Sequence, residues 1–210
     1  MHELNIQENP EELLLLASDA IKTEDSQPWT ILWIRPEGMS SISETDLITK
    51  VSTYDYIALD TETTGDFTDL YDRKVVMLQL GNDAEQFVWD TRKSSPETFL
   101  RWLSTRSTII IGHNLKYDYQ VLKTNYGVVL ENVWDTMLAA QIVECGLDAP
   151  KGHYTLEQCV ARYVRPYYTR QGNLFAPTIT KNIRSSFAQV SNAPFSAEQI
   201  YYGAFDIETS

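Results

Sequence analysis

The chain has 210 residues, of which 43% are hydrophobic and 22% charged, values typical of a soluble globular domain. The net charge of −12 argues against a nucleic-acid partner, but residues 1–55 hold 11 acidic and 3 basic side chains, so much of the excess lies at the N-terminus. No apolar run reaches the roughly 20 residues that a membrane span needs. No signal peptide is evident, and Cys145 and Cys159 lack metal-ligand spacing, so a reducing, cytoplasmic location is expected.

The N-terminal part, residues 1–45, is predicted to be an acidic appendage that contains a helix and a strand. Residues 8–23 predict the helix, because a capping residue and a proline precede an apolar run. Residues 29–34 predict the strand. The apolar run fits packing on the chain's own domain and, alternatively, a partner or dimer surface.

The remaining residues, 46–210, predict one α/β domain with a mixed sheet, because strand patterns are followed by helix patterns. Residues 165–194 are predicted to be irregular. The basic and aromatic side chains in part of this segment are discussed below. The predicted strands are residues 57–60, 74–81, 85–90 and 107–112, and the predicted helices are residues 43–50, 96–106, 115–126, part of 133–145, 155–164 and 196–208.

Two carboxylates stand at the end of the first strand of this domain. Asp60 and Glu62 follow the apolar residues 57–59, and Gly65 marks the turn beyond them. Residues two apart in a strand point to the same face, so the two carboxylates project together and can share a cation. Hard oxygen ligands favour Mg²⁺ or Mn²⁺ over Zn²⁺. A strand that runs into a solvated acidic turn is the alternative for this motif alone.

Two further motifs of polar residues follow along the chain. Asn114 lies where a strand passes into a helix, and Asp118 lies one helical turn later, so Asp118 can face the same sheet edge as Asp60. Tyr202 and Asp206, at i and i+4, share one face of the last helix. Core packing in an aromatic-rich helix is the alternative for Tyr202.

These three motifs, in this order over about residues 52–208, resemble the DEDDy branch of the DnaQ-like 3′→5′ exonucleases. This branch includes the proofreading domains of family A DNA polymerases, ribonuclease D and Werner-type exonucleases. The resemblance implies a ribonuclease H-like fold with a central five-stranded mixed sheet flanked by helices. The other branch has a histidine five residues before the last aspartate, where this chain has Tyr201.

The resemblance also implies a two-metal-ion reaction at these residues. Asp60, Glu62, Asp118 and Asp206 would hold two divalent ions, Mg²⁺ or Mn²⁺, and Tyr202 would orient the attacking water. The product would be a nucleoside 5′-monophosphate released from the 3′ end. The residues expected to contact substrate are Thr63, Leu78, His113, Asn114 and Lys181.

Basic and aromatic side chains interleave in residues 151–184, which is what a single-strand channel needs, although an exposed loop and a solvated helix face explain them equally well. His113 is expected to be structural or to face the substrate, and Asp135 to be structural.

Three functions stay open. The first is a proofreading-type DNA exonuclease that acts on single-stranded DNA or a frayed 3′ end. The second is a ribonuclease D-like exoribonuclease, and the third is a non-catalytic module that binds a polymerase or nucleic acid. The chain ends four residues after Asp206. We therefore expect either a stand-alone exonuclease or part of a longer polymerase, with any DNA polymerase partner in the same or a separate chain and no membrane partner.

Overall fold

The computed structural model describes residues 29–35, 38–65, 71–145, 149–164, 177–188 and 194–209, without the side chains of 164, 177–181, 205, 206, 208 and 209. The helix predicted for residues 8–23 therefore lies outside the described residues. Among those described, no helix combines the length and apolar character that a membrane span needs.

Seven strands form one mixed sheet in the order β2-β1-β5-β4-β3-β6-β7. Strands β2 through β3 in this order pair antiparallel, whereas β3, β6 and β7 pair parallel. The strands are β1 Ile31–Arg35, β2 Gly38–Ser41, β3 Tyr56–Thr63, β4 Val75–Gly81, β5 Gln86–Asp90, β6 Ile109–Gly112 and β7 Val133–Asp135.

The helices largely follow the sequence signals, but two predictions need correction. Residues 177–187, predicted to be irregular, form α6, and the predicted helix over 155–164 is a short α-helix that continues as a π-helical turn, Val160–Val164. The helices are α1 Glu44–Val51, α2 Glu97–Ser104, α3 Lys116–Tyr126, α4 Thr136–Val143, α5 Leu156–Cys159, α6 Pro177–Phe187 and α7 Ala197–Thr209.

The sheet has seven strands where five were expected, because short edge strands extend it on both sides. β2 has four residues and β7 three, too few for an alternating pattern to be read from the sequence. β1 comes from the predicted appendage and pairs with β5 of the main sheet, so this described part of the appendage continues the domain. The domain boundary at residue 45 itself stays a prediction.

Helices cover both faces of the sheet, and each face has its own core. The first core contains Ile57, Leu59 and Leu78, and the side chains of α2 and α3 pack on it. The second contains Met77 and Val88, together with side chains of α6 and α7. Every residue of β4 is buried, which explains why its sequence is apolar at successive positions rather than at alternate ones.

Candidate active site

The first motif lies on β3, in the middle of the sheet, and faces α7. Asp60 pairs with Gln79 on β4, and Glu62 pairs with Met77. A Cβ atom added at Gly203 of α7 would lie 2.8 Å from Gln79 Nε2 and 3.0 Å from Met77 Sδ, so α7 packs directly over these two β4 residues. Directly opposed residues of an antiparallel pair share one face. Asp60 and Glu62, both half-buried, therefore point to the face that α7 covers.

The second motif is tied to β3 through a hydroxyl group. Thr61 lies between the two carboxylates and points to the other face, where its Oγ1 donates a 2.6 Å hydrogen bond to Asp118 Oδ1. Asp118 lies in the first turn of α3 and is 3% exposed. The charge of Asp60 also acts on Asp118, so the structure brings these two carboxyl groups close together.

Both carboxyl groups hold their protons more tightly than ordinary aspartates. Burial raises the pKa of Asp60 to about 6, opposed by a hydrogen bond from the Thr61 backbone and by the charge of Arg184. Burial, and then the charge of Asp60, raises the pKa of Asp118 well above its usual value. Two ionised carboxylates in one buried place are unfavourable unless a cation or a proton lies with them.

The third motif is carried by α7, whose first turn is closed by a reciprocal cap. Ser196 Oγ accepts from the Gln199 backbone N–H (3.2 Å), and Gln199 Oε1 accepts from the Ser196 N–H (2.9 Å). The capping partner of Ser196 is therefore Gln199, three residues later, as in a capping box. Tyr202 is 9% exposed and contacts the ring of Phe187 on α6. Asp206 follows one turn later in α7, but its side chain lies outside the described set.

The donor chemistry of this carboxylate site, which we define as Asp60, Glu62, Asp118 and the facing turn of α7, fits a hard divalent cation. Its described donors are carboxylate oxygens, and the charge of Asp60 helps to raise the pKa of Asp118. No three described acidic, histidine or cysteine side chains are arranged to hold a metal ion. A metal ion at this site would therefore need a further ligand beyond these described side chains.

The turn between β6 and α3 is shaped by Gly112 and by the asparagine that follows two residues later. A Cβ atom at Gly112 would lie 2.9 Å from the carbonyl oxygen of Leu59, so only glycine allows this close approach to β3. Asn114 has a left-handed backbone, with φ of 57°, and an exposed side chain. Its backbone N–H donates to Asp135 Oδ1 at 3.1 Å. The same oxygen caps α4, which agrees with the structural role expected for Asp135.

A model of the family described as 3′-5′ exonuclease matches residues 40–209. The chain belongs to the 3′-5′ exonuclease family. Its predicted enzyme class is thereby confirmed at the level of the family, together with the resemblance that the three motifs indicated.

Individual members and neighbours of this exonuclease family match with lower coverage. The chain is 34% identical to DNA polymerase I of Aquifex aeolicus (strain VF5) over 88 residues, which are 42% of this chain and 14% of that protein. RNase D of Trypanosoma brucei, solved as a GMP complex, superposes with a TM-score of 0.62 at 18% identity, over 79% of this chain and 51% of that one. Brucella melitensis NrnC gives 0.56 at 21% identity, over 74% and 68%.

The structural matches confirm the ribonuclease H-like fold, with a mixed sheet flanked by helices. The chain spans about one seventh of the length of the polymerase that it matches. At these identities the solved structures show the fold and not the substrate.

Not all of the predicted substrate residues lie where a substrate could reach them. Leu78 pairs with Thr61, and not with Asp60 or Glu62, so its side chain points to the face opposite those two carboxylates. It is fully buried in the first core, which corrects the prediction that it touches the terminal nucleotide. Lys181 lies in α6, but its side chain is outside the described set.

Thr63 is half-buried at the end of β3, and its hydroxyl lies 2.6 Å from Tyr117 Oη. The Arg73 guanidinium donates to the same Tyr117 oxygen, so Thr63 is held by a small polar network.

Both ring nitrogens of His113 already contact protein groups. Nδ1 lies 3.0 Å from Thr136 Oγ1, and Nε2 lies 2.8 Å from the carbonyl oxygen of Tyr154. Because a carbonyl oxygen can only accept, Nε2 carries a proton and donates. Burial lowers the pKa of His113, opposed by the hydrogen bond to Tyr154 and by the charge of Asp135. His113 therefore links the turn before α3 to the segment before α5, and a contact with substrate stays a prediction.

Sequence reasoning did not single out two residues of this region. Arg184 lies on α6, and its charge lowers the pKa of Asp60; the sequence placed it only within a broad basic set. Gln79 is fully buried beside Asp60. The signal for Gln79 was available, since it is the one polar side chain in the apolar run from Val75 to Leu80.

Proposed function

We propose that this chain is a metal-dependent 3′→5′ exonuclease that removes nucleoside 5′-monophosphates from the 3′ end of DNA. The observation that carries the proposal is the juxtaposition of Asp60 and Asp118. These two residues are 58 positions apart in sequence, one on a strand and one on a helix. The fold holds their carboxyl groups where two negative charges repel each other. Such a pair costs stability in a protein without a cation and is therefore typical of a functional site.

In this proposal Asp60, Glu62, Asp118 and Asp206 hold two divalent ions, Mg²⁺ or Mn²⁺. Bound there, such ions would lower the pKa of a water and neutralise the charge that develops on the departing 3′-oxygen. One structure of Brucella melitensis NrnC is titled as having bound Mg²⁺, which supports the choice of ion.

The protein's own side chains position the carboxylate ligands and the attacking water. Thr61 fixes the Asp118 carboxylate through its hydrogen bond, and Tyr202 on α7 orients the water that attacks the phosphorus. Burial of the carboxylates also excludes bulk water, which strengthens their interaction with positive charge.

Substrate contacts are proposed for side chains around the carboxylate site. Asn114 is exposed at the start of α3, and Thr63 lies at the end of β3. Arg184 and Lys181 belong to the same helix, α6, three residues apart, and their positive charges suit a phosphate backbone. His113 lies in the turn that carries Asn114.

RNA is the second candidate substrate, and a specific observation favours it. The T. brucei RNase D that shares this fold was solved with GMP and, in another structure, with RNA U12. DNA is favoured by the sequence match to a DNA polymerase I, which also suggests proofreading in the same chain as, or beside, a polymerase. A reducing, cytoplasmic setting is proposed because Cys145 and Cys159 are free thiols.

The test is digestion of 5′-labelled single-stranded DNA and of RNA of the same sequence, each with Mg²⁺, Mn²⁺ or EDTA. The expected result is a ladder that shortens from the 3′ end with either ion and not with EDTA, with DNA degraded faster. Faster degradation of RNA would select the second candidate. A folded protein that shortens neither would contradict the proposal and favour a binding module.

Two variants and a control make this test specific to the carboxylate site. Asp118→Asn should lose at least a thousandfold in rate, because one ligand and its charge are removed. Tyr202→Phe should lower turnover without weakening Mn²⁺ binding, since only the hydroxyl is lost. Glu131→Gln changes an exposed carboxylate outside the site and should leave the rate unchanged. Full activity of the Asp118 variant would overturn the assignment.

A further inference from the structure

Gln79 is a fully buried glutamine whose amide has no hydrogen-bond partner among the described residues. Its side chain is 0% exposed in the middle of β4, and neither Nε2 nor Oε1 has a hydrogen-bond partner in the part of the chain that the structure describes. A buried polar group without a hydrogen-bond partner destabilises the folded state. A leucine or methionine at this position would avoid that cost, so packing alone does not explain the amide.

The amide of Gln79 lies next to two parts of the carboxylate site, Asp60 on β3 and the facing turn of α7. Gln79 is the cross-strand partner of Asp60 and points to the same face. On its other side it meets α7 at Gly203, where an added Cβ atom would be 2.8 Å from Nε2. Gly203 directly follows Tyr202 and precedes Asp206 by three residues. The amide of Gln79 therefore lies beside Asp60 and directly under the turn of α7 that carries Tyr202.

A second buried glutamine shows that this state is specific to Gln79. Gln86 on β5 is opposite Gly81, which is opposite Ala58, so it points to the same face of the sheet. It is 6% exposed, and its Nε2 donates to the carbonyl oxygen of Asn82 at 2.9 Å. Of the two, only the glutamine beside Asp60 lacks a partner.

We propose that Gln79 is a positioning residue of the metal site. When the site holds its divalent ion, Gln79 Nε2 donates to the Asp60 carboxylate and directs the carboxylate's remaining lone pairs toward the ion. Hydrogen bonds of this kind to metal ligands fix their orientation, and their removal typically lowers metal affinity 10–100-fold. This role rests on the proposed metal-dependent function and adds a residue that touches neither the metal ion nor the substrate.

The experiment compares Gln79→Met with Gln86→Met in the full chain. Mn²⁺ affinity is measured from the electron paramagnetic resonance signal of free Mn²⁺, and unfolding by urea is measured in EDTA. For Gln79→Met we expect 10–100-fold weaker Mn²⁺ binding and unchanged or higher stability, because an unsatisfied amide is replaced by an apolar side chain of similar size. Gln86→Met should show the opposite: lower stability, from the lost bond to Asn82, and Mn²⁺ affinity within twofold of wild type.

Gln79→Asn is the second variant, because it keeps an amide but withdraws it by one methylene group from Asp60. It should also weaken Mn²⁺ binding about tenfold. Mn²⁺ affinity within twofold of wild type in either folded Gln79 variant would overturn the role of Gln79 while leaving the exonuclease proposal intact. Failure of the wild-type protein to bind Mn²⁺ would overturn both.

Discussion

The carboxylate site should weaken the fold of the metal-free protein, and Asp60→Asn tests this directly. The ionised Asp60 carboxylate lies in a buried place close to Asp118, with the Arg184 charge giving partial relief. Asparagine has nearly the same shape and no charge. We therefore expect Asp60→Asn to stabilise the protein in EDTA at neutral pH while it abolishes metal-dependent cleavage.

The size of the effect follows from the pKa of Asp60. It rises from an ordinary value of 3.8 to about 6 in the folded protein. At about 1.4 kcal/mol per unit, ionised Asp60 costs about 3 kcal/mol of folding free energy at pH 7.5. The folded state binds this proton more tightly than the unfolded state, so stability falls as the pH rises from about 4 to about 6 and stays lower above. At pH 5 about half of the cost remains.

The assay is urea unfolding in EDTA at pH 7.5 and pH 5, followed by the fluorescence of the five tryptophans, of which Trp89 is 1% exposed. Asp60→Asn should gain up to about 3 kcal/mol at pH 7.5 and about half as much at pH 5. Asp55→Asn, an exposed carboxylate just before the same strand, is the control and should change little. A destabilised Asp60 variant at pH 7.5, or an equal gain at both pH values, would refute the reasoning.

Three further substitutions test how the motifs are held. Thr61→Val removes the 2.6 Å hydrogen bond to Asp118 and should cost about 2 kcal/mol in urea unfolding at pH 7.5; wild-type stability would contradict that role. Ser196→Ala breaks the reciprocal cap of α7 and should cost about 1 kcal/mol, with faster hydrogen exchange in the first turn of α7 as the local readout. Gly127→Ala places a side chain at φ of 64° and should lower the free energy of unfolding by about 1 kcal/mol without changing turnover. A loss of turnover would contradict this, because the structure predicts no coupling between Gly127 and the site.

Local signals were enough to place the first two motifs. The alternation of side chains along β3 predicts that Asp60 and Glu62 share a face. Their pairing with Gln79 and Met77 of β4 is consistent with this. The helix that carries Asp118 ends at Gly127, which adopts the left-handed conformation typical of a helix end. Both features depend on residues within one element, which is why the sequence alone could supply them.

Features that depend on contacts between elements could not be predicted in this way. The segment that forms α6 is rich in threonine, serine and other weak helix formers, so its propensity does not favour a helix. It is stabilised by Ile183 and Phe187, which pack into the second core against α7. Leu78 was misplaced for a related reason, since its face is set by the register of β4 against β3 and not by its distance from the motif.

The close approach of the motifs rests on two glycines, which ties the chemistry of the site to its backbone. Gly112 lets the chain before α3 pass against the Leu59 carbonyl group, and Gly203 lets α7 rest on Gln79 and Met77. A side chain at Gly112 would push the second motif away from β3, and one at Gly203 would displace the side chains of Gln79 and Met77. Moving the motifs apart would relieve the repulsion between Asp60 and Asp118, so the packing of the fold holds the carboxylates against a force that would separate them. A cation bound between the two carboxylates would reverse the sign of that force.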